Sequence, residues 1–258
     1  MTRPFRFGLS AHRAGSAAEW REIATKAEGL GYSTLLMADH LNDQLAPIPA
    51  LGVAAAVTTT LRVGTMVLCN DLRRAPVLAK ELATLDLLSD GRLEWGMGAG
   101  WFPADYEPAG IPFDAAGTRV DRLGETIAAV KALFGGEPVE LAGGHVQLHG
   151  LVGTPAPVQR PHPPLAVGAS QDRMLRLAGR EADIVSISPD IRSRQYGPFA
   201  ASRTVTEAMD RQVGIVGGAA GARADALALS VTVMPARVLG NRAAFAEKAA
   251  GNVGLTPD

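Results

Sequence analysis

Short apolar runs alternate with longer amphipathic stretches along most of the chain, and this alternation limits the fold more than any other feature. Runs suited to strands lie at Phe5 to Ser10, Thr34 to Ala38, Arg62 to Leu68, Leu93 to Met97, Leu165 to Val167, Ile184 to Ile187 and Leu227 to Met234. Between them apolar residues recur at helical spacing. Ser16 and Glu19 have capping-box spacing, Trp20, Ile23, Ala24, Ala27 and Leu30 share one face, and Gly31 stands where a helix C′ glycine belongs. Ala50 to Thr59 reads as a helix of small residues. Pro76 suits helix position N1 ahead of the stripe Leu78, Leu82, Leu85 and Leu88. Arg119 to Phe134 sets Val120, Leu123, Ile127, Val130 and Leu133 on one side, and further helices are expected at Met174 to Ala178, Thr206 to Val216 and Arg242 to Ala250.

The exceptions to the rhythm are informative. Gly98 to Gly117 is a long loop rich in helix and strand breakers. Residues 137–150, around Gly143-Gly144, read as an inserted β-hairpin, residues 153–164 as an extended proline-rich connector, and residues 189–203 as an irregular loop. Repeated strand–helix–strand units imply a parallel sheet with right-handed crossovers. A closed barrel and an open doubly wound sheet both satisfy that pattern. The unusual residues sit just after the second to fifth strands, as they do on the active-site face of a barrel, and His12-Arg13-Ala14-Gly15 after the first strand is no phosphate loop. The expected fold is α/β, a (β/α)₈ TIM barrel, in one domain over residues 1–258.

Composition narrows the function classes. The chain has 258 residues, 47% hydrophobic and 20% charged, with a formal net charge of −1 and no basic run, so the electrostatic footprint of a nucleic-acid binder is missing. Cys69 is the single cysteine and has no internal disulfide partner, which suits a reducing compartment. The N-terminus lacks a signal-peptide core and no apolar stretch reaches about 18 residues, so a cytoplasmic location without membrane contact is expected.

Four post-strand segments carry candidate chemistry, and each has a plainer alternative. At Asp39-His40 a carboxylate can orient an imidazole that moves a proton; otherwise the pair is a turn aspartate beside a surface histidine. Cys69-Asn70-Asp71 offers an asparagine donor beside a backbone bulge, or simply a buried thiol and an Asx turn. The glycines of Gly96-Met97-Gly98-Ala99-Gly100-Trp101 mark a close approach by backbone or ligand; Trp101 either stacks on a flat ring or plugs its own loop. Gly168-Ala169-Ser170 leads into a helix whose N-terminal N–H groups would bind phosphate, or it is an ordinary turn. His12, His145, His149 and His162 assemble no metal site, and Gly-x-Ser-x-Gly does not occur.

Together these segments resemble the luciferase-like monooxygenase superfamily, and within it the coenzyme F420 (deazaflavin)-dependent oxidoreductases. The likeness rests on Ala79-Lys80-Glu81-Leu82-Ala83-Thr84-Leu85-Asp86-Leu87-Leu88-Ser89-Asp90-Gly91-Arg92-Leu93 with Gly96 to Trp101, and on Gly110-Ile111-Pro112-Phe113 with Arg119-Val120-Asp121-Arg122-Leu123. The resemblance implies a cofactor at the C-terminal mouth of the barrel, contacted by Asp39, with His40 as proton-transfer residue. It implies that Leu68, Cys69 and Asn70 form a bulge behind the ring, often with a non-proline cis peptide. Gly98, Ala99, Gly100 and Trp101 would line the ring, and Gly168, Ala169 and Ser170 would approach the phosphate. Two features depart from the pattern. Trp101 stands where the sugar-phosphate dehydrogenases of the family place a glutamate, and the chain ends at Asp258, where family members continue into an eighth strand and closing helix. Seven strands leave two edges unpaired.

The function expected from these residues is hydride transfer between reduced coenzyme F420 and a small organic substrate, with Leu68, Trp101, Phe102 and Phe113 giving an apolar mouth. An FMN-dependent monooxygenase of the same fold is the alternative, and a non-catalytic truncated barrel a third. A homodimer is expected from the resemblance and from exposed sheet edges.

Overall fold

The computed structural model describes residues 4–188 and 203–233. These fall into two compact units, Met1–Gly168 with Glu181–Ile184, and Ala169–Arg180 with Val185–Asp258. The loop expected at 189–203, apart from its last residue, and the closing helix at Arg242 to Ala250 lie outside the described residues.

The first unit carries β1 (Gly8–Ser10), α1 (Ala17–Gly29), β2 (Thr34–Met37), α2 (Pro47–Ala56), β3 (Arg62–Thr65), β4 (Leu68–Cys69), α3 (Ala75–Leu88), β5 (Leu93–Gly98), α4 (Ala116–Phe134), β6 (Pro138–Ala142), β7 (Gln147–Val152) and β8 (Leu165–Ala169). Its main sheet is parallel in the order β1-β2-β3-β5-β8, with β4 also pairing β5. A parallel sheet covered by helices is buried on both faces, and all six residues of β5 are accordingly buried. Leu35, Met37, Val63, Leu93, Trp95, Met97, Leu165 and Val167 form the strand side of the core. Trp95 fits there because its indole N–H reaches the Pro163 carbonyl at 2.8 Å, and its ring meets Phe134 edge-on at 5.7 Å.

Local signals explain most boundaries. Ser16 caps α1 by accepting the Glu19 N–H at 3.1 Å, while the Glu19 carboxylate reaches back to the Gly15 N–H at 2.6 Å. Gly31 has φ +81°, the left-handed C′ geometry expected of it. α2 begins at Pro47 instead of Ala50, because the proline ring is already set for a first helical turn. Pro76 is the second residue of α3 and not the first. Leu78, Leu82 and Leu85 are buried, but Leu88, at the helix end, is exposed.

The run expected as one strand from Arg62 to Leu68 breaks after Thr65. The Met66–Val67 peptide is cis, and the chain re-enters the sheet only at Leu68. The Val67 side chain fills space that β5 leaves open, since a Cβ at Gly98 would lie 2.6 Å from Val67 Cγ2.

The hairpin expected at 137–150 is β6 paired antiparallel with β7, from Pro138↔Val152 to Ala142↔Gln147. Its tip is tied to α4 by the Glu125 carboxylate, which accepts the N–H groups of Gly144, His145 and Val146 at 2.7–3.1 Å. Burial pulls the Glu125 carboxyl up, but the His145, Val146 and Gly144 N–H groups outweigh it and hold it below its ordinary value.

At the N-terminal ends of the strands Glu94, Asp86 and Arg92 each hold several partners. Glu94 accepts from Arg6 at 2.6 Å and from Arg62 at 2.8 Å. The fully buried Asp86 carboxylate accepts the N–H groups of Val158 and Gln159 and the Gln159 side-chain amide, at 2.7–3.0 Å. Arg92 donates to the carbonyls of Ala55, Leu61 and Ser89 and to the Thr58 hydroxyl.

The second unit holds α5 (Asp172–Glu181), β9 (Ile184–Ile187), α6 (Arg203–Ala220) and β10 (Ala228–Ser230). The helix expected at Thr206 to Val216 is therefore longer, and the strand expected from Leu227 shorter. Ser188 N–H donates to the Ala169 carbonyl at 3.0 Å, and the buried Gln212 amide donates to the carbonyls of Ser170 and Ser188 at 2.8 and 3.1 Å. Among the described residues no helix is long and apolar enough to cross a membrane.

Candidate active site

Because the strands run parallel, their C-terminal ends lie along one edge. There the chain leaves β2 into Asp39-His40, β4 into Asn70 and β5 into Ala99-Gly100-Trp101, with Cys69 in register with Gly98 and Met97 with Val167. Gly168 ends this edge on β8. Ala169 and Ser170 belong to the second unit.

Asp39 does not hold His40, contrary to the sequence reading. Its buried carboxylate accepts the Cys69 N–H at 3.0 Å and pairs with Arg73 through both oxygens, so it ties the bulge of β4 to the end of β2. The carboxylate on His40 is Asp105, with Nδ1 and Oδ2 2.6 Å apart. The other Asp105 oxygen accepts the Leu41 N–H at 2.9 Å. Trp101 and Phe102 meet the imidazole edge-on, at 5.9 and 5.8 Å and 87° in both cases. The His40 side chain keeps 22% of its surface open and Asp105 only 5%.

Sequence reasoning missed Asp105 and Arg73. Asp105 sits in a short 3-10 turn, Pro103–Asp105, within the breaker-rich loop and 65 positions from His40. Its one legible signal was an acidic residue between the aromatics Phe102 and Tyr106 in a loop that follows a strand.

The glycines after β5 accommodate the chain itself. Val67 occupies the space beside Gly98, and a Cβ on Gly100, which has φ +77°, would overlap the Tyr106 hydroxyl. Tyr106 is the plug of this loop, 1% exposed, whereas Trp101 is 41% exposed. The Tyr106 hydroxyl lies 3.2 Å from Cys69 Sγ and donates to Asp71 at 3.2 Å, and Arg122 closes the network on Asp71 at 2.8 Å. Burial pushes the Cys69 thiol up from its ordinary value and the Tyr106 phenol far above its own. Both stay protonated at neutral pH, which removes them as nucleophiles.

Leu68 is fully buried and presents no surface at this edge. Phe113 stacks under the Arg119 guanidinium at 3.8 Å and meets Tyr106 at 4.7 Å, which commits much of its surface to the loop. Asn70 is 2% exposed, its Nδ2 reaches only Asp71 at 3.4 Å, and its Oδ1 is a buried acceptor with no partner. No cluster of three or more His, Cys, Asp or Glu residues able to hold a metal occurs among the described residues.

A parallel sheet wrapped by helices, with polar side chains gathered where the strands end, defines an α/β protein of the barrel class. The luciferase-like monooxygenase family matches residues 1–250, and the chain belongs to that family. It is 32% identical over 192 residues to the F420-dependent glucose-6-phosphate dehydrogenase of Microbacterium testaceum, covering 71% of this chain and 56% of that one. The protein of the same description from Beutenbergia cavernae is 35% identical over 167 residues, covering 61% and 48%. The chain thus spans about half the length of the curated relatives it matches. Among solved structures, a monooxygenase from Streptomyces bottropensis superposes with a TM-score of 0.76 at 23% identity, covering 96% of this chain and 75% of the other. The coenzyme F420-dependent tetrahydromethanopterin reductase from Methanopyrus kandleri gives 0.71 at 22%, covering 88% and 64%. The fold is the luciferase-like barrel type that the resemblance implied.

Proposed function

We propose that the chain is an oxidoreductase that moves a hydride between a deazaflavin, coenzyme F420, and a small organic substrate. The observation that carries this reading is the unpartnered, buried Asn70 Oδ1 at the strand edge. A buried acceptor left unmade costs about 1–3 kcal/mol, and a ring N–H of a flat heterocycle would satisfy it. The relatives described as F420-dependent make the deazaflavin the first choice of ring.

The residues fit such a group. Cys69 and Asn70, held in place by Asp39 and Arg73, and the paired Gly98 with Ala99 and Gly100 would face the group from one side, with Trp101 beside His40. The bound deazaflavin supplies the hydride chemistry. The chain contributes position, and His40 contributes the proton at Nε2, the ring nitrogen not committed to Asp105. The apolar surface of Trp101 and Phe102 favours a planar or apolar substrate over a sugar phosphate, as does Trp101 in the place of the family's glutamate.

FMN is the alternative ring, favoured by the family description and by neighbours that are monooxygenases. Titrating the protein with each cofactor while following tryptophan fluorescence separates the two. Quenching by F420 at concentrations where FMN has no effect is expected, and tight binding of FMN alone reverses the assignment.

A further inference from the structure

We infer that Asp105 is a positioning residue that fixes the tautomer of His40, keeping the proton on Nδ1 so that Nε2 is the nitrogen that exchanges a proton with substrate. The inference rests on the reading of His40 as the proton-transfer group. Its geometric basis stands apart from any cofactor.

Three observations converge. His40 Nδ1 lies 2.6 Å from Asp105 Oδ2, the length of a charge-assisted hydrogen bond, and a carboxylate can only accept. Asp105 cannot rotate away, because its second oxygen holds the Leu41 N–H at 2.9 Å and the side chain is buried. Trp101 and Phe102, 5.2 Å from each other, both pack edge-on against the imidazole from one side. With Nδ1 committed to Asp105, Nε2 is the ring nitrogen left to meet a substrate. A bound deazaflavin would supply the hydride exchange with the carbon of a substrate alcohol or carbonyl, while Nε2 would take the proton from the alcohol oxygen or, in the reverse direction, return it to the carbonyl oxygen.

Asp105→Asn makes the test sharp. The Leu41 N–H needs an acceptor, so the amide oxygen of the new side chain stays with Leu41 and its NH₂ faces His40. Two donors cannot share that contact, and the imidazole must move its proton to Nε2. An equivalent carboxylate-to-amide change behind a catalytic histidine lowers kcat by about 10⁴-fold in serine proteases, with the geometry intact.

The experiment is ¹⁵N NMR of histidine-labelled protein without cofactor, at about pH 8.5, where an ordinary imidazole is neutral, with His40→Ala assigning the His40 signals. An Nδ1 proton in the wild type and its loss in Asp105→Asn are expected. Turnover of the F420-loaded variant should fall at least 10²-fold with KM within about threefold. A wild-type His40 that lacks the Nδ1 proton overturns the inference, and so does an Asp105→Asn protein with unchanged tautomer. If Asp105→Asn does not fold, the wild-type spectrum alone decides. If neither cofactor binds, the proton-transfer reading fails while the tautomer result stands by itself.

Discussion

The two ends of the first unit's sheet are built on opposite terms. At the strand N-termini Glu94, Asp86 and Arg92 each hold several partners, and the network closes on backbone groups as much as on side chains. At the strand C-termini the half-open His40, the exposed Trp101 and the orphaned Asn70 oxygen leave capacity unspent. A barrel separates its duties in this way, with stability at the bottom face and function at the top. The same residue types therefore mean different things at the two ends. Asp86 at the lower end fastens a connector, whereas at the upper end Asp39 fastens the β4 bulge and Asp105 meets a histidine.

Substitutions at matched positions test that contrast. Asp86→Ala removes the buried acceptor of three N–H donors and should cost about 2–3 kcal/mol, read as a fall in the urea midpoint, with no direct effect on cofactor binding by the folded protein. His40→Ala should do the converse: turnover falls by about 10²-fold or more, equal to about 2.7 kcal/mol of barrier, while cofactor affinity stays within about threefold. Unchanged turnover in a cofactor-loaded His40→Ala protein would remove this residue from the chemistry. Asn70→Ala loses one hydrogen bond to a ring N–H, so cofactor affinity should drop about tenfold while the midpoint moves by less than about 1 kcal/mol. A large stability loss instead would place Asn70 with the lower, fastening class.

The smallest effect is an acid one. The Glu28 carboxyl is held down to about 2 by the N–H of Thr60, with those of Leu61 and Thr59 adding to it. Its value in the fold lies below the ordinary 4.5, so its contribution is full above that pH and fades as pH falls towards 2. Glu28→Gln should remove this acid-dependent part. At neutral pH it should cost about 1 kcal/mol, discounted because the site is solvent-screened. Midpoints measured at pH 7 and pH 3.5 should converge between variant and wild type as the medium becomes acid. A constant difference would mean that the hydrogen bonds, and not the charge, carry the effect.

Periodicity made the strand–helix alternation and most helix cores legible, because an amphipathic stripe and a capping box act within a few residues of themselves. Ser16 and Gly31 did what their positions implied. The break of β3 after Thr65 was not legible in the periodicity, although the resemblance implied a non-proline cis peptide at the bulge, and one occurs at Met66–Val67. The glycines at the end of β5 were read as a close approach by backbone or ligand, and Val67 and Tyr106 are the groups that come close to Gly98 and Gly100. Asp39 was read as the partner of His40 because the two are adjacent, yet adjacent side chains leaving a strand end diverge, and the matching carboxylate came from a loop 65 residues away.

The sequence alone determined which segments become strands and helices, that the strands run parallel, and which loops gather at their C-terminal ends. Those outcomes follow from local propensity and from the hydrophobic period. Only the tertiary structure decided which carboxylate meets which base, which aromatic is buried and which stays open, and which polar atom is left without a partner. Pairings of that kind depend on distances across the fold, which residues far apart in the chain reach only once the core has closed.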